Sequence, residues 1–334
     1  MKIHYKRKFA VLIITFSITL YLLSSCFFSA SANNRITFSE DFSGLTVSFI
    51  DVGQGDCIFI SFGDGNNLMI DCGSSEEASV NAVSKLLAKL NVTSIYNLVL
   101  THPDSDHIGG ALSLLSNYNV QKVYIPQILN TKPFSLFEDV LLSLSQRSIP
   151  TIISDSSNLI KGENYSVVFL SPSPIQNSNS IYREFNLSSN PTEEQINNLS
   201  PIIYLEYKGV RFLFTGDAGE KEENKVINNY YSNYYLNLYS TKGVTVNLEN
   251  IDFLKVSHHG SADSTKERFL QMLNPKYAVI SVGGNNIYSH PSTTLLKRIY
   301  TYSPKAKILR TDVKGNVVVR VSENGKQEIM WGRI

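Results

Sequence analysis

The residues of this 334-residue chain that could do chemistry, five of its six histidines among them, fall in four short motifs, each placed just after an apolar run that reads as a strand. The first motif is THPDSDHIGG, Thr101 to Gly110, which offers His102, Asp104, Asp106 and His107 within six residues. Imidazole mixed with carboxylate suits a borderline divalent ion such as zinc, and also manganese or iron. The spacing at 102, 104 and 106 puts three ligands on one side of an extended turn, and His107 can reach a second ion or the far side of the first. Gly109 and Gly110 let the backbone pass close to such a site and enter a helix. The plainer alternative is a polar loop with Asp106 as a helix N-cap.

The second motif is FLFTGDAGE, in which Asp217 follows a strand and could bridge two ions; it too could be an N-cap. The third is KVSHHGS, with His258, His259 and Ser261 after the strand IDFLKV. Adjacent histidines point different ways, so one can ligate while the other faces substrate. A surface pair is the alternative. His290, in NNIYSHPS, is either a substrate contact or a structural histidine.

Three kinds of element have to position these groups. LTVSFIDV, CIFISF and NLMIDC read as successive strands, and NLVLT at 97–101 as a buried strand that runs directly into the first motif. Helical period appears at 76–90, where Ala78, Val80, Val83, Leu86, Leu87 and Leu90 share a face. A strand at 121–125 and a helix near 134–147 follow. Residues 171–200, rich in Ser, Asn and Pro, read as a long loop. PIIYLEYKGVRFLFTGD then reads as two strands about Lys208-Gly209, and 228–250 as a Tyr- and Asn-rich insertion. Its Tyr230, Tyr231, Tyr234 and Tyr235 serve either to stack bases or sugars or as a packing surface. Strand and helix then alternate to the closing strands near 306–311, 315–321 and 327–332. The whole pattern is α/β: two mixed sheets sandwiched between helices.

The N-terminus differs in kind. Lys2, Lys6, Arg7 and Lys8 precede an apolar run from Phe9 to Leu23, which suits a signal peptide and falls short of a typical spanning helix. Leu23-Ser24-Ser25-Cys26 is similar to a bacterial lipobox, with Cys26 as the acylated residue. Ala30-Ser31-Ala32 is similar to an ordinary cleavage site, and an uncleaved anchor is a third reading. All three export the protein, as a lipoprotein on the outer face of the cell membrane or as a secreted protein. The expected division is a signal peptide at 1–25, a tether at 26–43 and one folded domain at 44–334 that carries all the motifs. Loss of residues 1–25 lowers the formal charge from +1 to −3, which leaves no broad electrostatic funnel for long nucleic acids. The leader is the only long apolar run, so the chain is not by itself a multi-spanning channel, though it could act beside one.

Two further cysteines flank CIFISFGDGNNLMIDC. Counting outward from a two-residue Asp64-Gly65 turn sets Cys57 opposite Cys72, within disulfide reach. A one-residue slip in the turn would leave two buried thiols instead.

Taken in order, DVGQGD (51–56), LMIDCG (68–73), THPDSDHIGG (101–110), LFTGD (213–217), KVSHHGS (255–261) and NNIYSHP (285–291) resemble the soluble hydrolase domain of ComEC-type competence proteins, a branch of the metallo-β-lactamase superfamily. The likeness runs from about Leu45 to Trp331. It implies an αββα four-layer sandwich and one or two divalent ions, zinc or manganese. On that resemblance Asp106 and His107 hold one ion, His102 and Asp104 the other, with Asp217 bridging and one of His258 and His259, His259 by preference, completing the second site. Asp71 is implied as the buried acid that supports the metal loop. The superfamily's further histidine is missing between His107 and His258, and Ser171 in FLSPSP stands at the place expected for it.

The function implied is hydrolysis by a metal-activated water, with Asp106 or Asp104 orienting it or taking its proton, and the second ion, or His258 in its absence, stabilising developing charge. Ser261 and His290 are the candidate substrate contacts. A phosphodiesterase or nuclease is the leading expectation, with DNA as a substrate to test. A small phosphoester, a phosphocholine on a surface polymer, or a lactone are the alternative substrates. A non-catalytic binding module, or an accessory to DNA uptake, stands as the alternative class.

Overall fold

The computed structural model describes residues 35–38, 42–128, 130–174 and 191–334. The leader, Cys26 and most of the tether lie outside them. None of the described helices is long and apolar enough to cross a membrane.

The apolar runs build two sheets. The first holds β1 (Gly44–Phe49), β2 (Ile58–Ser61), β3 (Asn67–Ile70), β4 (Asn97–Val99), β5 (Val123–Ile125) and β6 (Thr151–Ile153). The second holds β7 (Leu159–Lys161), β8 (Tyr165–Phe169), β9 (Ile203–Tyr207), β10 (Val210–Phe214), β11 (Phe253–Lys255), β12 (Tyr277–Ile280) and β13 (Lys307–Arg310). The chain then returns to the first sheet as β14 (Asn316–Ser322) and β15 (Gln327–Gly332). Strand order is β15-β14-β1-β2-β3-β4-β5-β6 in one and β13-β12-β11-β10-β9-β8-β7 in the other. Both sheets are mixed. β3 to β6 and β10 to β13 run parallel, and the remaining pairs are antiparallel.

Alternation along the strands decides what each face packs against. Val47, Phe49, Ile58 and Ile70 of the first sheet meet Val167, Phe169, Leu205, Phe212 and Phe253 of the second in a central core. Phe212, Phe253 and Tyr277 stack in series there, with ring centroids 4.8 and 4.9 Å apart. The outer face of the first sheet buries Phe59, Met69 and Leu98 under α1 (Glu77–Lys89), α2 (Ser105–Ile108), α3 (Ala111–Asn117) and α4 (Ser135–Gln146). A short helix, α5 (Glu193–Asn197), stands at the mouth of the cavity described below. The outer face of the second sheet buries Tyr204, Leu213 and Ile280 under α6 (Glu220–Tyr231), α7 (Tyr234–Tyr239), α8 (Glu267–Leu273) and α9 (Thr293–Tyr302). The expected αββα sandwich is therefore the observed one. On α1, Val83, Leu86 and Leu87 point inward, as their spacing requires.

Several local expectations change. The hairpin pairs Ser61 with Asn67 and Ile58 with Ile70, so five residues, 62–66, separate the strands. That is a one-residue slip from the register counted about Asp64-Gly65. Cys57 and Cys72 are consequently not opposite, and both are free, buried thiols. Part of the long loop is helical: α5 starts from a capping box in which Thr192 Oγ1 accepts from Gln195 N–H at 3.2 Å and Gln195 Oε1 from Thr192 N–H at 2.9 Å. Residues 175–190 of that loop lie outside the described residues. The Tyr-rich segment is a packing surface. Tyr235 and Tyr239 are fully buried, and their hydroxyls donate to the carbonyls of Leu170 and Ser156. Of the four tyrosines considered for base stacking, Tyr231 is the exposed one.

Candidate metal centre

Parallel strands end side by side, so the loops that follow β3, β4, β10 and β11 converge. Asp71 ends β3 with φ of 58° and no exposed surface. Its Oδ1 accepts Thr101 N–H at 2.9 Å, while Oδ2 accepts the Thr101 hydroxyl and His107 Nδ1–H, each at 2.7 Å. One buried carboxylate thus fixes both the start of the first motif and its last histidine.

That motif turns through α2, a single helical turn. Asp104 stands at its N-cap position, with no side-chain cap bond, and Asp106 lies inside the turn. The backbone around it is tied down on both sides: Asp56 N–H donates to Asp106 O at 3.2 Å and Cys72 N–H to His107 O at 2.7 Å. Gly55 makes the approach possible. Its φ is +133°, and a Cβ there would lie 2.2 Å from Asp106 O.

His258 and His259 follow β11 with φ of 47° and 50°, both left-handed, and Gly260 continues with φ of 90°. This costly turn splays the two rings, as their adjacency required. His259 Nδ1–H donates to Ser281 O at 2.9 Å, so its Nε2 carries a lone pair. His107 is fixed the same way by Asp71. The two Nε2 atoms then face each other at 3.2 Å. Asp217 Oδ2 lies 3.3 Å from each, and Asp106 Oδ2 lies 3.3 Å from His259 Nε2.

Four acceptors therefore crowd together about His259 Nε2, with no donor among them. Such a group is stable only with protons or a cation between them. His107 Nε2, His259 Nε2 and Asp217 Oδ2 lie 3.2–3.3 Å from one another and Asp106 Oδ2 stands 3.3 Å from His259 Nε2, close to the roughly 3.3 Å edge of a tetrahedron with ligand bonds of about 2.0 Å. The electrostatics point the same way. Burial opposes charge on His259, yet Asp217 and Asp106 push it up to about 10. Burial likewise opposes charge on His107, which Asp217, Asp71 and Asp106 hold well above the ordinary range. Asp217 and Asp106, despite burial, are held below the usual carboxylate range by the same two histidines. A divalent ion would answer the same excess of negative charge. The residues fit one.

A second position is outlined less completely. The His102 ring is fully buried, with Nδ1 3.0 Å from the Thr101 hydroxyl and 3.2 Å from Ser200 Oγ. Its Nε2 has no hydrogen-bond partner among the described residues and lies 3.6 Å from Asp104 Oδ2. His102, His107 and Asp217 offer donor atoms within 4.8 Å of one another. Asp104 is the solvent-facing member, its side chain 37% exposed.

Beside the cluster opens a cavity of about 580 Å³, lined among others by Asp217, His258, Ser261, Tyr288 and His290. His258 Nε2 lies 3.5 Å from Glu193 Oε1 and 3.9 Å from Asp217 Oδ2. Burial, then His259, lowers the pKa of His258; burial, then His258, pushes His290 down to about 4. Both are neutral at pH 7. The His258 and His290 rings stand 5.5 Å apart, and Ser261 Oγ accepts Asp263 N–H at 3.3 Å.

Every histidine and aspartate singled out in the sequence is gathered here. Ser171 is not: its Oγ accepts Ile202 N–H at 3.1 Å. Ser200 instead stands against His102 and accepts Asp217 N–H at 3.2 Å. Sequence reasoning also missed Lys255, Asp56 and Asn197. Only Lys255 carried a usable signal, the one basic residue of the strand run IDFLKV.

A family model described as the metallo-beta-lactamase superfamily matches residues 50–182 and 198–284. The chain is similar to the ComE operon protein 3 of Bacillus subtilis (strain 168), 29% identical over 289 residues, which is 82% of this chain and 33% of that protein. It is similar also to Recombination protein 2 of Haemophilus influenzae, 27% identical over 290 residues, 86% of this chain and 30% of that protein. The chain thus spans about a third of the length of these curated relatives. Among solved structures, the metallo-beta-lactamase fold protein YhfI from Bacillus subtilis covers 83% of this chain and 100% of its own, with 12% identity and a TM-score of 0.48.

Proposed function

The chain belongs to the metallo-beta-lactamase superfamily, and from that premise we propose that it is an exported, metal-dependent phosphodiesterase. Membership makes it a metal-dependent hydrolase related to competence proteins. The observation that supports the metal-dependent part of this reading is the pair of facing Nε2 lone pairs, 3.2 Å apart, with two carboxylates beside them. In this reading Asp106, His107, Asp217 and His259 would hold one zinc or manganese ion, and His102 and Asp104 with Asp217 would offer the second position. What the ion supplies is Lewis acidity, which polarises a substrate oxygen and lets water ionise near pH 7.

The side chains do the rest. Asp104, the most exposed carboxylate of the cluster, and Asp106 are placed to orient the attacking water and take its proton. Asn197 Nδ2 donates to His258 Nδ1 at 3.5 Å, which leaves the proton on Nε2. A neutral Nε2–H beside the cavity can then donate to the charge that develops on a phosphorus-bound oxygen. His290 and Ser261 line the same cavity and would hold a second oxygen. Asp71 keeps His107 in the ligating tautomer.

DNA is the proposed polymer, on the strength of the competence-protein relatives. One observation favours a smaller diester. Glu193, Glu194, Glu220 and Asp263 line the cavity with Lys266 as the one cation among the described lining residues. That wall repels a polyanion, whereas a short phosphodiester or a phosphocholine ester presents a single negative charge. The proposed location is the outer face of the membrane, through a lipid on Cys26, supported by the basic head and apolar run before it.

The test is a substrate panel on metal-stripped protein restored with zinc or manganese. Bis-p-nitrophenyl phosphate is expected to turn over at least about 10²-fold faster than with EDTA. Single-stranded DNA and a phosphocholine ester then separate the two substrate readings. Turnover of lactones alone would overturn the phosphodiester assignment.

A further inference from the structure

Lys255 is the most deeply buried cation beside the centre, with a side chain 0% exposed. An ammonium costs several kcal/mol to bury unless its partners are well placed. Here every partner is an oxygen. Nζ lies 2.5 Å from Asp56 Oδ2, 3.1 Å from Gly216 O and 3.8 Å from Asp217 Oδ1. Asp56 comes from the loop between β1 and β2, while Gly216 and Asp217 follow β10, so two sheets converge on this nitrogen.

Without the lysine, those oxygens would form a cation nest. Among the described residues Asp56 Oδ1, 3.6 Å from His259 Nδ1, and Asp217 Oδ1 have no hydrogen-bond partner, and Asp56, Asp217 and His259 offer donor atoms within 4.8 Å of one another. An oxygen-rich set of two carboxylates and a carbonyl is what hard divalent ions prefer. His259 contributes no lone pair on this side, because its Nδ1–H donates to Ser281 O at 2.9 Å. The two faces of Asp217 are thereby divided: Oδ2 faces the histidines His107 and His259, and Oδ1 faces the ammonium.

Resting on the metal-centre reading above, we propose that Lys255 is a tethered cation that fills an oxygen nest beneath Asp217, a place that would otherwise take a divalent ion. It is a positioning residue. It holds Asp217 by charge from below, keeps Oδ1 from recruiting another ion, and reserves Oδ2 for the centre.

The test counts Mn²⁺ bound per chain, from the loss of the free-ion electron paramagnetic resonance signal, in the parent and in Lys255→Ala. The variant is expected to bind about one equivalent more than the parent, and Lys255→Arg, which keeps the charge, the same number as the parent. A folded Lys255→Ala that binds no more Mn²⁺ than the parent overturns the proposal, since a merely structural lysine would change stability and not the count. Should Lys255→Ala fail to fold, Asp56→Asn decides. There the ammonium keeps Asp217 as its remaining acid and competes with the ion, so Mn²⁺ affinity is expected to fall about tenfold or more; unchanged affinity overturns the proposal. A parent that takes up no Mn²⁺ contradicts the metal-centre reading and this inference with it.

Discussion

Asp217→Ala is expected to remove retained metal and to lower turnover beyond the roughly 10²–10³-fold that loss of one well-placed donor costs. Asp217 is the point at which the cluster's charges meet. Its Oδ2 lies 3.3 Å from both His107 Nε2 and His259 Nε2, and its Oδ1 faces Lys255 Nζ at 3.8 Å. Taking the carboxylate away removes a ligand and the negative charge that stands between the two imidazoles and the Lys255 ammonium, which keeps Asp56 alone as its acid. Repulsion then acts where attraction is needed. The main chain should persist, because Asp217 N–H is held by Ser200 Oγ and the neighbouring strands β10 and β11 are buried. Circular dichroism checks that the fold survives, and metal analysis with a phosphodiester assay reads the loss. Full metal retention in this variant would show that Asp217 is not a ligand.

Asp71→Asn has the second largest expected effect, although Asp71 touches no substrate. Its carboxylate accepts three hydrogen bonds, from Thr101 N–H, the Thr101 hydroxyl and His107 Nδ1–H. An asparagine has one oxygen and one amide nitrogen, so it cannot accept on both sides. With nitrogen toward His107, the imidazole must accept on Nδ1 and carry its proton on Nε2, where the ion needs a lone pair. With nitrogen toward Thr101, a buried N–H loses its acceptor, at a cost of about 1–3 kcal/mol. The first arrangement predicts metal affinity lower by about 10–100-fold, the usual effect of losing a supporting carboxylate. Chelator competition measures that loss, and urea unfolding of the metal-free protein measures the second. If both are unchanged, Asp71 is not what fixes His107.

The centre was legible in the sequence because its chemistry is concentrated. His102, Asp104, Asp106 and His107 lie within one turn, and strand ends carried Asp217 and His259 to them. The sandwich was legible for the same reason, since apolar runs alternated with helical periods. Register was not. β1, β2 and β3 are buried on both faces for most of their length, so they lack the polar–apolar alternation that would fix pairing. The turn alone had to set the register, and Phe62 N–H donating to Asn66 O closes a wider one than Asp64-Gly65 implied. Ser200 and Asn197 were invisible because they reach His102 and His258 only through tertiary contacts. Ser171 was chosen by position in the chain, yet its neighbour across the sheet, Ile202, takes its hydroxyl. Lys255 was readable as an anomaly, but its meaning depended on Asp56 from the other sheet.

The central claim is that four clustered acceptors hold a metal ion, and the elemental content of the purified protein tests it most directly. After exposure to zinc or manganese and exhaustive dialysis, the parent is expected to keep at least one equivalent per chain, to release it to EDTA, and to keep none as His107→Ala. A folded parent that retains no stoichiometric metal would contradict the account, because His107, His259, Asp106 and Asp217 would then have to be reconciled by protons alone.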